Sequence, residues 1–170
     1  VCRLPGHCRQ MKPDRITPPR GTVREWLNAR AKTGGVAFRF PATGEILTWA
    51  ELKSEATRIA ENLAALGVTK GESVAVLQPN GRDGILAIFA ALVGGFRTTM
   101  INLVAGADAI GYALDHSGAR FAFVHPTAQS LFAETTAARR ITTVDLTDNR
   151  TATLHDLSAD DDALLMYTSG

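Results

Sequence analysis

The spacing of apolar residues along the chain changes period several times, and each change predicts a new element. Apolar residues recur at helical spacing after Thr22 and again after Thr48, and a glutamate stands three positions beyond each threonine, which is the spacing of a capping box. Residues 36–40 and 45–48 are short apolar runs on either side of a turn sequence at 41–44. We therefore predict a β-hairpin between two helices.

Strands and helices alternate through the remainder of the chain. Runs of aliphatic and β-branched residues predict five strands, at 73–77, 98–101, 121–124, 141–144 and 164–167. Between these strands, apolar residues recur at helical spacing and predict three helices. Their inward faces are Ile85, Ile88, Phe89 and Leu92 in the first, Ile110, Ala113 and Leu114 in the second, and Leu131 and Phe132 in the third. Parallel strands joined by helices need right-handed crossovers, so the helices must lie on both faces of one sheet. The predicted fold class is α/β: a doubly wound, mostly parallel sheet flanked by helices, with the short hairpin near its N-terminus.

Composition narrows the classes of function. The 170 residues are 45% hydrophobic and 21% charged with a net charge of +1, which fits one soluble, cytoplasmic globular domain. A near-neutral chain without a basic stripe interleaved with aromatic residues gives no support to nucleic-acid binding. The longest apolar run, residues 85–96, is too short to span a bilayer, so we predict no transmembrane segment.

Residues 1–20 differ from the rest of the chain because they are Pro-rich and basic and lack apolar periodicity. We predict that they form a disordered lead before an ordered domain over 21–170, with Met11 as an alternative natural start. Both cysteines, Cys2 and Cys8, lie in this lead, and the chain has no second Cys/His pair to complete a zinc site. A disulfide is unexpected in a cytosolic protein. No metal site is predicted.

Three further patterns have plain structural explanations. Gly81 and Gly84 follow a strand but leave the three-glycine dinucleotide fingerprint incomplete. His116 and His125 have no evident serine or cysteine partner, which favours ordinary hydrogen-bonded histidines over catalytic bases. The acidic run at 160–162 is typical of a solvated turn, because adjacent carboxylates cannot all converge on one Mg²⁺ ion. We predict no catalytic residue among them.

The end of the chain joins an apolar run to small polar residues. Residues 164–167 predict a buried strand of a parallel sheet, and Thr168, Ser169 and Gly170 then begin a loop. Small residues after such a strand let backbone N–H groups and hydroxyls approach an anion. The plain alternative is a strand that runs into an ordinary polar turn.

Six blocks of sequence, taken in order, resemble one known family. The blocks are 47–52 (LTWAEL), 67–77 (GVTKGESVAVL), 79–80 (PN), 94–96 (GGF), 116–120 (HSGAR) and 167–170 (YTSG). Together they look like the N-terminal region of acyl-CoA synthetases, which belong to the adenylate-forming (AMP-binding) superfamily. Several of these blocks are sequences that any turn or core segment could have. Their joint order over residues 22–170 is specific to this family.

The resemblance implies an activity, its cofactors and a binding role for the loop. Such enzymes activate a carboxylic acid with ATP to an acyl-adenylate, release pyrophosphate and transfer the acyl group to coenzyme A, with Mg²⁺ neutralising phosphate charge. The expected partner is a small-molecule carboxylic acid, by preference a fatty acid, and a homo-oligomer is left open. Thr168, Ser169 and Gly170 match the opening of the family's phosphate loop, so the resemblance implies that they cradle the ATP phosphates.

The chain also departs from the family pattern. The remaining glycines and the lysine of the loop are absent, as are the family's later acidic and lysine residues, so no residue matches a catalytic one. We therefore expect an incomplete N-terminal subdomain of a larger enzyme, truncated in the phosphate loop and inactive on its own. Two alternatives stay open: a non-catalytic binding or regulatory module of the same fold, and the adenylation domain of a peptide synthetase or an aryl-CoA ligase.

Overall fold

The computed structural model describes residues 20–167 of the chain. This range contains seven strands and five α-helices. The helices are α1 (Val23–Thr33), α2 (Trp49–Ala65), α3 (Arg82–Gly94), α4 (Gly106–Ser117) and α5 (Gln129–Ala133). The strands are β1 (Val36–Phe40), β2 (Glu45–Thr48), β3 (Ser73–Leu77), β4 (Arg97–Met100), β5 (Phe121–Val124), β6 (Thr142–Thr143) and β7 (Leu164–Met166). Short 3₁₀ turns flank α5, at Pro126–Ala128 and Thr136–Arg140. The predicted disordered lead lies outside the described residues except for Arg20.

The strands form two sheets. β1 and β2 pair antiparallel as the predicted hairpin, and the other five strands form one parallel sheet in the order β6-β5-β3-β4-β7. The chain passes from β3 to β4 on one side and then returns across β3 to β5 on the other. Buried residues of α3 and α4 belong to two separate hydrophobic clusters on opposite faces of the sheet, as right-handed crossovers require. The predicted doubly wound α/β fold is confirmed.

Each face of the sheet has its own hydrophobic core. Val74 and Val76 of β3 point into a cluster with residues of α1, α2 and α3, while Ala75 and Leu77 point into a cluster with residues of α4 and α5. All five residues of β3 are buried. A continuous apolar run is what a strand covered on both faces requires.

Capping boxes begin the first two helices, as their spacing predicts. The Glu25 and Glu51 backbone N–H groups each donate to the hydroxyl of the preceding threonine, Thr22 or Thr48, at 3.2 Å. In return, each glutamate carboxylate accepts from the threonine backbone N–H, at 2.7 and 2.8 Å. Two otherwise unpaired donors are thereby satisfied at each helix start.

The buried face of α3 differs from the prediction. The fully buried residues are Leu86, Ala87, Ala90, Ala91 and Val93, whereas the four residues predicted to face inward are only half-buried. The reason is that α3 packs against α1, α2, β3 and β4, so its small residues take the closest contacts. The predicted face turns partly toward the hairpin, where Phe89 meets Phe38 edge to face with ring centroids 6.1 Å apart.

The prediction that β7 is buried is wrong. β7 is parallel to β4 as expected, but among the described residues it has a neighbour on one side only. Leu164 is 48% exposed and Met166 is 60% exposed. An apolar run indicates a strand with two covered faces only if further elements cover it.

The connection from β6 to β7 crosses the end of α2 as a strap without regular structure. The Arg58 guanidinium donates to the backbone carbonyls of Leu146, at 2.7 Å, and Asp148, at 2.5 Å. Nearer β7, the Lys70 ammonium pairs with the Asp161 carboxylate at 2.9 Å. These contacts hold the strap as it carries the chain from one edge of the sheet to the other.

Two helical glycines lead to opposite stability predictions. A Cβ at Gly94 would collide with the buried ring of Phe96, whose Cδ2 would be 2.6 Å away, whereas the nearest atom to a Cβ at Gly111 is 3.7 Å away. We expect Gly94→Ala to lower the free energy of unfolding by about 1–3 kcal/mol through overpacking. Gly111→Ala should raise it by about 0.5–1 kcal/mol, since alanine loses less entropy in a helix. Urea unfolding of the two variants checks this, and equal shifts would contradict it.

Candidate functional site

The carboxyl ends of the parallel strands bring together segments that are far apart in the sequence. Gln78 follows β3, Ile101 follows β4, His125 follows β5 and Tyr167 follows β7, all at one edge of the sheet. Ligands of open α/β sheets bind outside this edge, near the point where the strand order reverses. That point lies between β3 and β5 in this sheet. The carboxyl edge is therefore the candidate site.

The predicted phosphate-binding residues Thr168, Ser169 and Gly170 lie outside the described residues. The structure places Tyr167, the residue just before them, at the carboxyl edge of the sheet. Its position follows from the parallel register of β7, in which Met166 pairs with Met100 of β4. The chain therefore reaches the predicted loop from the edge at which α/β proteins bind ligands.

A cavity of about 440 Å³ opens between the hairpin and α3 at the same edge. Its apolar lining includes Phe38, Phe40, Ile85, Ile88 and Met100. This volume lies within the range of small-molecule sites. Two of the half-buried residues of α3, Ile85 and Ile88, thus line this cavity in addition to packing against the core.

One polar atom in this cavity lacks a partner. Gln78 lines the cavity, and its buried Oε1 accepts no hydrogen bond from any described residue. Arg82 and Glu45 lie at the same opening. An apolar cavity with a few polar groups can orient a ligand that has a polar end and an apolar body.

His125 lies at a second, smaller cavity near the start of α3 and is hydrogen-bonded locally. Its Nδ1 accepts from the backbone N–H of Thr127 at 3.2 Å and lies 2.7 Å from the Thr127 hydroxyl oxygen. These contacts close the turn at Pro126 that begins the next helical segment. His125 is hydrogen-bonded, as predicted.

Three aromatic side chains meet where β7 ends. The Tyr167 hydroxyl lies 3.0 Å from His116 Nδ1 and donates to the Ala113 carbonyl at 3.0 Å. The Tyr112 ring stacks on the His116 ring with centroids 5.7 Å apart. His116 is thus hydrogen-bonded, as predicted, but to a residue 51 positions away. No spacing rule could identify this partner, although both residues belong to blocks that carry the family resemblance.

Burial changes the acid–base behaviour of Tyr167. The loss of solvation raises the pKa of the Tyr167 phenol above its ordinary value, and the nearby Tyr112 phenol acts in the same direction. Burial disfavours the charged phenolate, so the group stays a neutral donor in its bond to Ala113.

The acidic turn before β7 is occupied by structural contacts. The Asp161 carboxylate accepts from the Ser158 backbone N–H at 2.7 Å, and this bond together with Lys70 holds the pKa of Asp161 below its ordinary value. Within residues 20–167 no group of three or more His, Cys, Asp or Glu side chains could hold a metal ion. None of the described helices is long and apolar enough to cross a membrane.

Comparison with known proteins identifies similar sequences over most of the chain. Residues 25–170 match the model of a family described as AMP-binding enzyme. The chain is 32% identical over 149 residues to a feruloyl-CoA synthase of Amycolatopsis sp, and the alignment covers 85% of this chain and 30% of that relative. It is 27% identical over 147 residues to the long-chain-fatty-acid–CoA ligase FadD13 of Mycobacterium tuberculosis, covering 79% of this chain and 29% of the relative.

A solved structure shares the fold. The N-terminal domain of FACL13 from Mycobacterium tuberculosis matches with a TM-score of 0.75 at 24% identity, over 88% of this chain and 42% of that one. The likeness includes the parallel five-stranded sheet and its flanking helices.

The chain spans about 30% of the length of the feruloyl-CoA synthase and 29% of that of FadD13.

The two tyrosines of the chain allow the shifted pKa to be tested. We expect the phenolate absorbance of Tyr167 to appear above pH 10, the ordinary pKa being about 10. The stability that this group contributes is fully present below about pH 10 and is lost as the pH rises through the higher folded-state pKa. In an ultraviolet titration, Tyr167→Phe should remove the late-titrating component, and Tyr112→Phe should leave it. Loss of an early component in Tyr167→Phe would contradict the assignment.

Proposed function

Because the chain belongs to the AMP-binding enzyme family, we propose that it forms the N-terminal part of an acyl-CoA ligase. Such an enzyme joins a carboxylate to the AMP part of ATP as an acyl-adenylate, with release of pyrophosphate, and then transfers the acyl group to the thiol of coenzyme A, with release of AMP. The observation that carries the proposal is the match over residues 25–170, which includes β7 and the residues that follow it.

The proposed role of the loop follows from its position in the chain. Thr168, Ser169 and Gly170 follow a parallel strand at the carboxyl edge of the sheet, where anion-binding loops of α/β proteins occur. We propose that their hydroxyls and backbone N–H groups donate to the phosphate oxygens of ATP. When bound, ATP supplies the adenylyl group and pyrophosphate as the leaving group. The chain's own contribution is to bind and orient the phosphates.

The carboxylic acid substrate has two candidate classes. A long-chain fatty acid is our first proposal, supported by the likeness to FadD13. An aromatic acid is the second, supported by the 32% identity to a feruloyl-CoA synthase. Pyrophosphate exchange with a long-chain fatty acid and with ferulate, on a polypeptide that carries this chain and the remainder of a ligase, separates the two.

Mg²⁺ and coenzyme A enter the proposal from the family alone. The described residues contain no side-chain cluster suited to a metal ion, so we assign no residue of this chain to Mg²⁺. We likewise assign no residue of this chain to the binding of coenzyme A. The described part of the chain is proposed to support the phosphate loop and to provide the apolar cavity beside the hairpin.

We expect the 170-residue chain to form no acyl-adenylate by itself. The loop lysine and the later Mg²⁺-binding acidic residue of the family do not occur in it, and a lysine and a bound Mg²⁺ ion are what neutralise phosphate charge during adenylyl transfer. Pyrophosphate release should equal that of a blank without protein, for both fatty acids and ferulate. Release above the blank would overturn this expectation and leave the family assignment untouched.

The loop hydroxyls are tested in the longer polypeptide. Thr168→Ala and Ser169→Ala should each slow pyrophosphate exchange by about 10²–10³, because one donor to developing charge is worth about 2.7–4 kcal/mol of barrier. The thermal midpoint should move little, within about 0.5 kcal/mol of stability, if these hydroxyls serve phosphate binding and not the fold. The matched control is Ser130→Ala, which removes an exposed hydroxyl from α5. Unchanged exchange in both loop variants would reduce the loop to an ordinary turn.

A further inference from the structure

Tyr167 is anchored to α4 at the point where β7 ends. Its hydroxyl oxygen lies 3.0 Å from His116 Nδ1 and 3.0 Å from the Ala113 carbonyl oxygen. Ala113 and His116 lie three positions apart in the second half of α4, so they share one face of the helix. A single phenol oxygen thus bonds both to the backbone and to a side chain of the same helix.

The proton positions follow from the two partners. The Ala113 carbonyl can only accept, so the Tyr167 hydroxyl must donate its one proton there. The remaining lone pairs of the Tyr167 oxygen can then only accept, and His116 Nδ1 must carry the proton that it donates. This arrangement assigns the Nδ1–H form to His116.

The helix that carries these groups is firmly seated on the sheet. Ile110 is 1% exposed and Leu114 is 0% exposed, both in the core on the α4 face. Tyr112, 65% exposed, stacks on the ring of His116, which is itself exposed. His116 thus reaches Tyr167 from a helix whose position on the sheet is fixed by its core residues.

We propose that His116 is a positioning residue, which fixes Tyr167 and with it the direction in which the chain continues into Thr168. This rests on the proposed ligase function, since the orientation matters for catalysis only if the next residues bind phosphate. β7 has one neighbouring strand and an exposed surface among the described residues, so the sheet alone holds its end weakly. The His116–Tyr167–Ala113 contacts supply a second attachment at this end.

The kinetic test uses the longer polypeptide and pyrophosphate exchange at varied ATP concentration. His116→Leu should lower kcat about tenfold, the factor expected from losing one such hydrogen bond, and Tyr167→Phe, which also loses the bond to Ala113, should lower it at least as much. KM for ATP should change less than about threefold in both variants. His116→Asn should restore kcat to within about threefold of the unmodified protein, because its amide can donate from nearly the position of Nδ1. Tyr112→Phe is the matched control, since it removes a neighbouring phenol oxygen and keeps the stacked ring.

The double variant tests whether the two residues act together. His116→Leu combined with Tyr167→Phe should lower kcat no further than Tyr167→Phe alone, because that change already removes the bond to His116 together with the bond to Ala113. Multiplicative losses in the double variant would show that the two side chains act separately and would overturn the proposal. An unchanged kcat with a lowered thermal midpoint would also overturn it, because the contact would then serve the fold alone.

Hydrogen exchange of the 170-residue chain gives a readout that does not depend on activity. Amides of the peptide over residues 164–170 should exchange at least threefold faster in His116→Leu and Tyr167→Phe, and at the unmodified rate in His116→Asn. Equal exchange in His116→Leu and the unmodified chain would refute the attachment, whatever the kinetics show. If the unmodified longer polypeptide has no exchange activity, the proposed function fails, and this measurement alone decides whether His116 holds Tyr167.

Discussion

The architecture depends on the right-handedness of strand–helix–strand connections. After β4 the chain returns past β3 to β5, and a right-handed connection in that direction must cross the opposite face of the sheet. This reversal puts α3 and α4 on different faces and buries β3 on both. It also creates the crevice at the carboxyl edge that defines the candidate site. A left-handed connection would have put both helices on one face and left the other exposed.

The sequence predicts most elements of this fold because their signals are local. The capping boxes at Thr22 and Thr48 each lie within four residues, and the hairpin is defined by two apolar runs and the turn between them. The buried face of α3 was predicted poorly because that helix is apolar nearly all round, and periodicity cannot show which side meets the closest neighbour. The burial of β7 was also mispredicted, because a strand's own residues do not show whether a further strand lies beside it.

In the candidate site, too, some residues are identified by a local sequence motif, whereas others are identified only by contacts between distant parts of the chain. The YTSG block contains Tyr167 and the three residues proposed to bind phosphate. The family match over residues 25–170 includes this block. The link between Tyr167 and His116 joins two blocks that are 51 residues apart, and neither block contains a sign of the other. The apolar cavity beside the hairpin likewise appears only when β1 and α3 are placed together. The sequence motif predicts where phosphate would bind, whereas the contacts around Tyr167 required coordinates.

The pairing of β7 with β4 has a consequence for how the protein folds. Thr98 pairs with Leu164, so β7 joins the sheet only after a segment of more than sixty residues has closed, whereas β3 and β4 are linked by a single helix. Long loop closures are slow, and β7 lies at an edge of the sheet with one neighbouring strand among the described residues. The three central strands can therefore assemble first, with β7 added later. In the native protein an edge strand of this kind can detach locally at a free energy well below that of global unfolding, so the residues that it carries exchange their amide hydrogens without the central strands having to open.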